Sequence, residues 1–353
     1  MTTSFAEWRE YGDNLGRFAS IREKADSPMD RIVVQNKDGI QKVVAGDYNR
    51  TLIITTGPTS QPNGRAVVPS RLLLGTLKTL KGKGDATVRV TDKGATVETS
   101  FGSSIEMDNL MTPFKMLAPR PYNPNGWIAK LPEGFLPAAA KYLAYTAEQQ
   151  PFNQVLAQTI GHDMFFRSTE NHIQAEVGPI PVEVPRTIHF PEGLFPAMRG
   201  LEAAGGIFIP LHVAPQVHQA QFGSGKYRVV TVIYPDYGTF PLVAAHLYTV
   251  RVQADKKLLI DIFKSLAGRH EYSRVVMEAK GGALTIRSGD NGAAKPNVEC
   301  EGTGTLPVNA TFMAKVLQTV DGKTATIEFA DSPSHIRIVG DANRWPILIS
   351  PMK

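Results

Sequence analysis

Cysteine is almost absent from this 353-residue sequence: Cys300 is the only one. A single thiol excludes an intramolecular disulfide and fits a reducing compartment. It sits in Val298-Glu299-Cys300-Glu301, where neighbouring carboxylates disfavour a thiolate rather than activate it. Long apolar runs are missing as well. Nothing approaches the roughly 18 residues of a membrane span. The segment Met1 to Glu10 lacks the basic-then-apolar order of a signal peptide, so a cytoplasmic protein is expected. Catalytic and metal-binding patterns are equally scarce. His212 and His218 lack the His/Cys/carboxylate spacing of a zinc site, and the other histidines are scattered. Gly223-Ser224-Gly225-Lys226 looks like the tail of a phosphate loop. Ala220, however, stands where the upstream glycine is required, and Tyr227 replaces Ser/Thr. That segment reads instead as a hairpin turn between strands at 213–221 and 227–233. With no nucleophile–base pair and no Gly-x-Ser-x-Gly elbow, no enzyme, metal or cofactor is expected.

What is present is an ordinary globular composition, 42% hydrophobic and 20% charged. Lys+Arg number 38 against 33 Asp+Glu, a net charge of +5. That balance permits a nucleic-acid partner without requiring one. Internal repetition is more informative. Pro132-Glu133-Gly134-Phe135-Leu136-Pro137-Ala138 and Pro191-Glu192-Gly193-Leu194-Phe195-Pro196-Ala197 are near copies. They lie about 60 residues apart, and six such units fill the chain. Both read as helix starts, with proline tolerated in the first turn. Helical spacing follows in Phe135, Leu136, Ala139, Ala140 and Leu143, and in Leu194, Ala197, Met198 and Leu201. Similar stripes run through Leu72, Leu73, Leu77 and Leu80, through Leu258, Leu259, Ile262, Phe263 and Leu266, and through Phe312, Met313, Val316, Leu317 and Val320. A less regular helix is expected from about Phe5 to Lys24, beginning with almost no strand before it.

Between the helices the pattern turns to period two, with hairpins at 87–90/95–98, 164–167/173–176, 275–278/284–287 and 325–329/335–338. The unit is one helix plus about four strands. Pro/Asn-rich residues 118–126 and a second break at 244–250 divide the chain into pairs of units. The fold class is therefore α+β, with three similar domains at 1–122, 123–249 and 250–353. Counted from the first apolar residue of each helix, Lys78, Lys141 and Lys264 share one phase. Arg17, Arg22, Arg71, Lys81, Arg199, Lys256, Lys257 and Lys315 belong to the same helices or their ends, with few acidic residues among them. Lys and Arg are common on any solvated helix face, but one sign at one phase in several repeats suggests helices that jointly face a polyanion. Such a surface holds phosphates without reading bases.

At these residues the chain resembles the bacterial sliding clamp, the β subunit of DNA polymerase III. Ile347-Leu348-Ile349-Ser350-Pro351-Met352-Lys353 looks like that family's apolar strand and Pro-Met-basic tail. Ser168-Thr169-Glu170-Asn171-His172 is similar to its Ala-Thr-Asp-Gly-His turn, and Gly238-Thr239-Phe240-Pro241 to its Gly-Arg-Phe-Pro. Val68-Pro69-Ser70-Arg71 is similar to its Val-Pro-Ala-Arg, and Val308-Asn309-Ala310-Thr311-Phe312 to the start of its last helix. The resemblance implies a head-to-tail homodimeric ring around duplex DNA, with helices inside, that tethers a polymerase. It also implies a peptide pocket for polymerase, clamp loader and repair proteins. The matching lining is Val155, Thr169, Asn171, His172, Gln174, Pro241, Ala245, His246, Tyr272, Asn309, Phe312, Leu348, Ile349, Ser350, Pro351 and Met352. Ala245 stands where the family commonly has arginine. Implied dimer contacts are Ile105 and Met107 on one edge and Leu266 and Ala267 on the other, with Arg71 and Lys78 meeting Glu299 or Glu301. Arg22, Lys24, Gln149, Asn153 and Gln154 are implied to touch DNA from loops. Two further readings stay open: an open, non-ring duplex-binding protein, and a phage- or plasmid-type clamp paralogue with altered partners.

Overall fold

The computed structural model describes residues 3–19, 30–47, 49–91, 93–110, 127–132, 134–146, 153–170, 172–183, 185, 187–201, 205–208, 219–223, 226–234, 247–268, 272–289, 292–331, 335–342 and 345–352. They group into two compact units, Met1–Ala140 with Ile180–Pro235, and Lys141–Pro179 with Asp236–Lys353.

A two-residue strand, β1 (Thr3–Ser4), precedes helix α1 (Phe5–Phe18), so the helix does not open the chain. The Ser4 hydroxyl accepts from the Glu7 N–H at 3.3 Å, the Ser-x-x-Glu pattern that satisfies a free helix-start donor. Trp8, Tyr11, Leu15 and Phe18, three or four residues apart, form the buried stripe. The helix ends at Phe18, and the expected extension to Lys24 lies outside the described residues. Next come β2 (Arg31–Lys37), β3 (Ile40–Gly46), β4 (Arg50–Pro58), β5 (Gly64–Pro69) and α2 (Ser70–Thr79). β6 (Asp85–Thr91), β7 (Gly94–Thr99), β8 (Ser104–Asp108), β9 (Trp127–Leu131) and α3 (Phe135–Tyr142) follow. Lys141 and Tyr142, at the end of α3, already belong to the second unit. So do β10 (Gln154–Ile160), β11 (Asp163–Glu170) and most of β12 (Ile173–Pro181). The first unit resumes with β13 (Thr187–Pro191), α4 (Leu194–Met198), β14 (Gly205–Phe208), β15 (Gln219–Phe222) and β16 (Tyr227–Val232). The second is completed by β17 (Val250–Asp255), α5 (Lys256–Ala267), β18 (Arg274–Lys280), β19 (Ala283–Ser288), β20 (Gly292–Ala294) and β21 (Glu299–Gly302). Its last elements are β22 (Gly304–Asn309), α6 (Ala310–Thr319), β23 (Thr324–Phe329), β24 (Ile336–Gly340) and β25 (Pro346–Ile349).

In the first unit the strands run in the orders β5-β2-β3-β4-β16-β15-β14-β9 and β1-β6-β7-β8. In the second the orders are β10-β11-β12-β25-β24-β23-β17-β21 and β20-β19-β18-β22. The four expected hairpins are present as β6/β7, β11/β12, β18/β19 and β23/β24. β15 and β16 pair antiparallel, with Gln219 opposite Val232, as the hairpin reading expects; Ser224 and Gly225 between them lie outside the described residues. Helices α1 and α2 pack closely enough that a Cβ on Gly12 would meet Leu77 at 3.2 Å. α4 has only five residues, shorter than its apolar spacing suggested. It is anchored through Phe195, whose ring lies 5.8 Å from those of Phe190 and Phe222.

The repeated heptapeptides start helices as expected, with proline in the first turn, and the backbone adds a second reason for their sequence. Gly134 and Gly193, with φ of 72° and 69°, stand immediately before α3 and α4. The left-handed conformation there favours glycine, because a Cβ would crowd the following carbonyl. The first-turn prolines are Pro137 and Pro196, where a missing N–H loses no helical bond. Gly134→Ala should therefore cost about 1 kcal/mol. Gly193→Ala should cost more, because its Cβ would lie 3.1 Å from the Arg50 guanidinium that donates to the Gly193 carbonyl. Thermal denaturation of the two variants checks the ranking.

Candidate functional site

Within the second unit, a cavity of about 370 Å³ is lined by His172, Tyr272, Asn309, Phe312, Ser350, Pro351 and Met352. Four separated segments meet there, and backbone pairing explains much of it. β25 lies between β12 and β24, with Ile349 opposite both Ile173 and Ile336. Beyond the strand, Ser350 N–H donates to the His172 carbonyl at 2.9 Å, and Met352 N–H donates to the Pro307 carbonyl at 3.0 Å. Residues 350–352 thus form one wall. Asn309 is buried at 2% exposure and caps α6, its side-chain oxygen accepting from the N–H groups of Thr311 at 2.9 Å and Phe312 at 3.4 Å. The cap fixes the first turn of α6, and with it Phe312. The His172 ring stacks on Phe312 at 5.8 Å and 29°, while Tyr272 meets Phe312 edge-on at 6.1 Å. Tyr272 is 64% exposed. An apolar, aromatic floor with a few polar groups at its edge suits large side chains of a short peptide.

Of the other residues assigned to this pocket by resemblance, Val155 and Ile349 are buried at 1% and 0% exposure. They support the sheet and do not line the cavity. Thr169, Gln174 and Leu348 are half-buried and also stand outside the lining. Asn171, Pro241, Ala245 and His246 lie outside the described residues.

The helix cations divide into two sorts. Lys78 on α2, Lys81 just after it, and Lys257 and Lys264 on α5 are exposed and make no ion pair among the described residues. Arg71 and Arg199 are exposed as well. Arg17 is half-buried and donates to Asn14 Oδ1 at 2.9 Å; burial, then the charge of Arg199, holds its pKa below the ordinary arginine value. Lys141 and Lys315 are already paired, with Asp321 at 2.8 Å and Glu170 at 2.7 Å. Lys315 also sits 5.2 Å from the centre of the Tyr145 ring. Lys256 is turned to the Val320 carbonyl at 2.8 Å. Neither Asp321 nor Glu170 stands out in the sequence, because each lies far along the chain from the lysine it meets. Asn153 is half-buried, and Gln154 is 1% exposed and thus turned away from solvent. Arg22, Lys24 and Gln149 lie outside the described residues.

At the expected joint residues, β8 and β21 are the end strands of their sheets among the described residues. Ile105 on β8 is 38% exposed, and Leu72 on α2 is 44% exposed. Met107, Leu266 and Ala267 are buried at 2%, 5% and 6%, packed inside the chain and unavailable as primary contact residues. Glu299 and Glu301 are exposed, and Glu301 lies opposite Arg251 in the β17–β21 ladder. Leu258 on α5, 40% exposed, is an apolar surface residue that the resemblance did not assign.

No helix among the described residues is long and apolar enough to cross a membrane. No group of three or more His, Cys, Asp or Glu among them is placed to hold a metal ion.

No protein-family model matches the chain, and no curated protein sequence does. Solved structures do match it over its whole length. The β subunit of DNA polymerase III from Thermotoga maritima covers 100% of this chain and 98% of its own, with a TM-score of 0.80 at 14% identity. A sliding clamp from Pseudomonas aeruginosa, solved bound to griselimycin, covers 100% and 99% with a TM-score of 0.77 at 18% identity. The Bacillus subtilis sliding clamp covers 100% and 98% with a TM-score of 0.76 at 13% identity. The chain has the α+β fold of these clamps.

At the far end of α6 from the cavity, the Tyr142 hydroxyl accepts from the Asp321 N–H at 2.9 Å, and Tyr145 and Thr319 share a hydrogen bond of 2.6 Å. Burial pushes both phenols up to about 12. In the unfolded chain they ionise near their ordinary value of about 10. The folded state therefore holds protons that the unfolded state loses, and stability present below pH 10 drains away between about pH 10 and 12. Tyr142→Phe/Tyr145→Phe should lower stability at pH 8 by about 1–2 kcal/mol, because two buried hydrogen bonds are removed. It should also flatten the fall in melting temperature across that alkaline window, measured by circular dichroism.

Proposed function

We propose that this chain is a sliding clamp: it closes as a homodimeric ring around duplex DNA and tethers a polymerase to its template. The observation that carries the reading is the clamp fold over the full chain, with neither partner of the match leaving a domain uncovered. Exposed cations on helices of both units support it, since they offer phosphates a sequence-independent attraction. In this reading the chain divides into three domains, 1–122, 123–249 and 250–353, each with two helix-plus-strand units. Two copies meet where β8 of one reaches β21 of the other, so that end-strand hydrogen-bonding groups are paired on closure. Exposed Ile105, Leu72 and Leu258 would be covered there, and Met107, Leu266 and Ala267 support them from beneath.

The cavity around Phe312 is the docking point for short peptides from polymerase, clamp loader and repair proteins. A tether of this kind raises the local concentration of the enzyme at its template without any chemistry of its own. Enclosure, rather than tight contact, retains the DNA, so sliding is not arrested.

Retention on DNA of different topology tests the ring. Loaded with a clamp loader, the protein should stay on nicked circular duplex at high salt and run off a linear duplex. Equal retention on both would instead indicate an open protein that grips by charge alone. The solution mass should be twice 38.5 kDa. Phe312→Ala should weaken binding of a Leu/Phe-containing peptide by about tenfold or more, because it removes the central aromatic anchor of the pocket. Loading should be less efficient, because the loader docks at the same pocket, but the variant once loaded should be retained on circular DNA as long as the wild type.

A further inference from the structure

Two of the helix cations meet acids of the same unit before they meet anything else. Lys141 Nζ lies 2.8 Å from Asp321 Oδ1, in the turn after α6. Lys315 Nζ, on α6, lies 2.7 Å from Glu170 Oε2 at the end of β11. We propose that Asp321 and Glu170 set the strength of DNA contact, by occupying Lys141 and Lys315 until a phosphate displaces them. The inference rests on the clamp reading, in which these lysines face the duplex.

The physical case is a matter of magnitudes. The lysine side chains are 58% and 47% exposed, so each pair is a surface ion pair, which adds little to stability. Removing such a pair leaves the fold largely intact, but its effect on the local field is large: each acid cancels one cation within ion-pair distance. A cation held this way remains exchangeable. Phosphate can replace carboxylate at small net cost, and carboxylate can take the lysine back when the phosphate moves on. Lys257 and Lys264 on α5 have no such partner among the described residues. The basic helices thus combine permanently available cations with shielded ones, and the shielded pair limits friction against a polyanion that must slide.

Binding of the full chain to a labelled linear duplex, read by fluorescence anisotropy across a salt series, tests this. The variant Glu170→Gln/Asp321→Asn should bind roughly tenfold more tightly at low salt, and log K against log salt should steepen by up to about 4, one phosphate for each of the four lysines released in the two-chain ring. Adding Lys141→Ala/Lys315→Ala to it should abolish the gain, while the same lysine changes in the wild type should do little. Glu278→Gln/Glu328→Gln removes equal charge from the ion pairs with Arg287 and Arg337 on strands, and should change binding by less than about twofold. Unchanged affinity and slope in Glu170→Gln/Asp321→Asn, or an equal gain in the strand control, overturns the proposal. Glu170→Gln alone, with half the expected steepening, decides the question should Asp321→Asn fail to fold. Lys257→Ala/Lys264→Ala separates the two levels. If it weakens binding while Glu170→Gln/Asp321→Asn changes nothing, only this inference fails; if it also leaves binding unchanged, the clamp reading fails with it.

Discussion

The pairing of β25 between β12 and β24 is the constraint on which the second unit depends. Ile349 lies opposite Ile173 on one side and Ile336 on the other, so the strand is bonded along both edges. Ile347 and Ile349 are fully buried, and their burial ties this register to the core. A slip of one residue would turn both isoleucines to the opposite face. It would also carry Ser350, Pro351 and Met352 away from His172 and Pro307. The cavity exists because a short apolar strand is locked between β12, from far earlier in the chain, and β24, which immediately precedes it.

Helix α6 links that cavity to the charged surface. Its N-terminus is held by Asn309, which satisfies two otherwise unpaired backbone donors and places Phe312 beneath His172 and Tyr272. One turn later, Lys315 meets Glu170, two residues before His172 in the chain. At its far end, Asp321 donates its backbone N–H to Tyr142 and receives Lys141 as an ion-pair partner. Apolar packing places the helix, caps and buried hydroxyls orient its ends, and weak surface ion pairs adjust the field it presents. The last of these lie at the surface and add least to stability.

Much of this was legible in the chain. The six helices follow from apolar residues three and four apart, and the hairpins from period-two alternation broken by turn residues, because both patterns record which face is buried. The duplicated Pro-Glu-Gly segments marked two helix starts, but the spacing did not reveal that the glycine before each helix takes a left-handed conformation. Family resemblance brought together the residues that line the cavity, as His172, Phe312 and Met352 illustrate. It did not distinguish them from Val155 and Ile349, whose side chains are turned into the core.

The sequence by itself determined the class of structure, the repeat, and the surplus of cations on the helices, because these are properties of local pattern and count. Tertiary structure alone decided which cations are available. Lys78 and Lys264 share their helical phase with Lys141, yet only Lys141 of the three is met by an acid among the described residues, and that acid lies 180 residues away. A carboxylate's distance from a lysine in space is set by strand register and helix packing. It has no signature in the neighbouring residues, and it acts only over a few ångströms before solvent screens it.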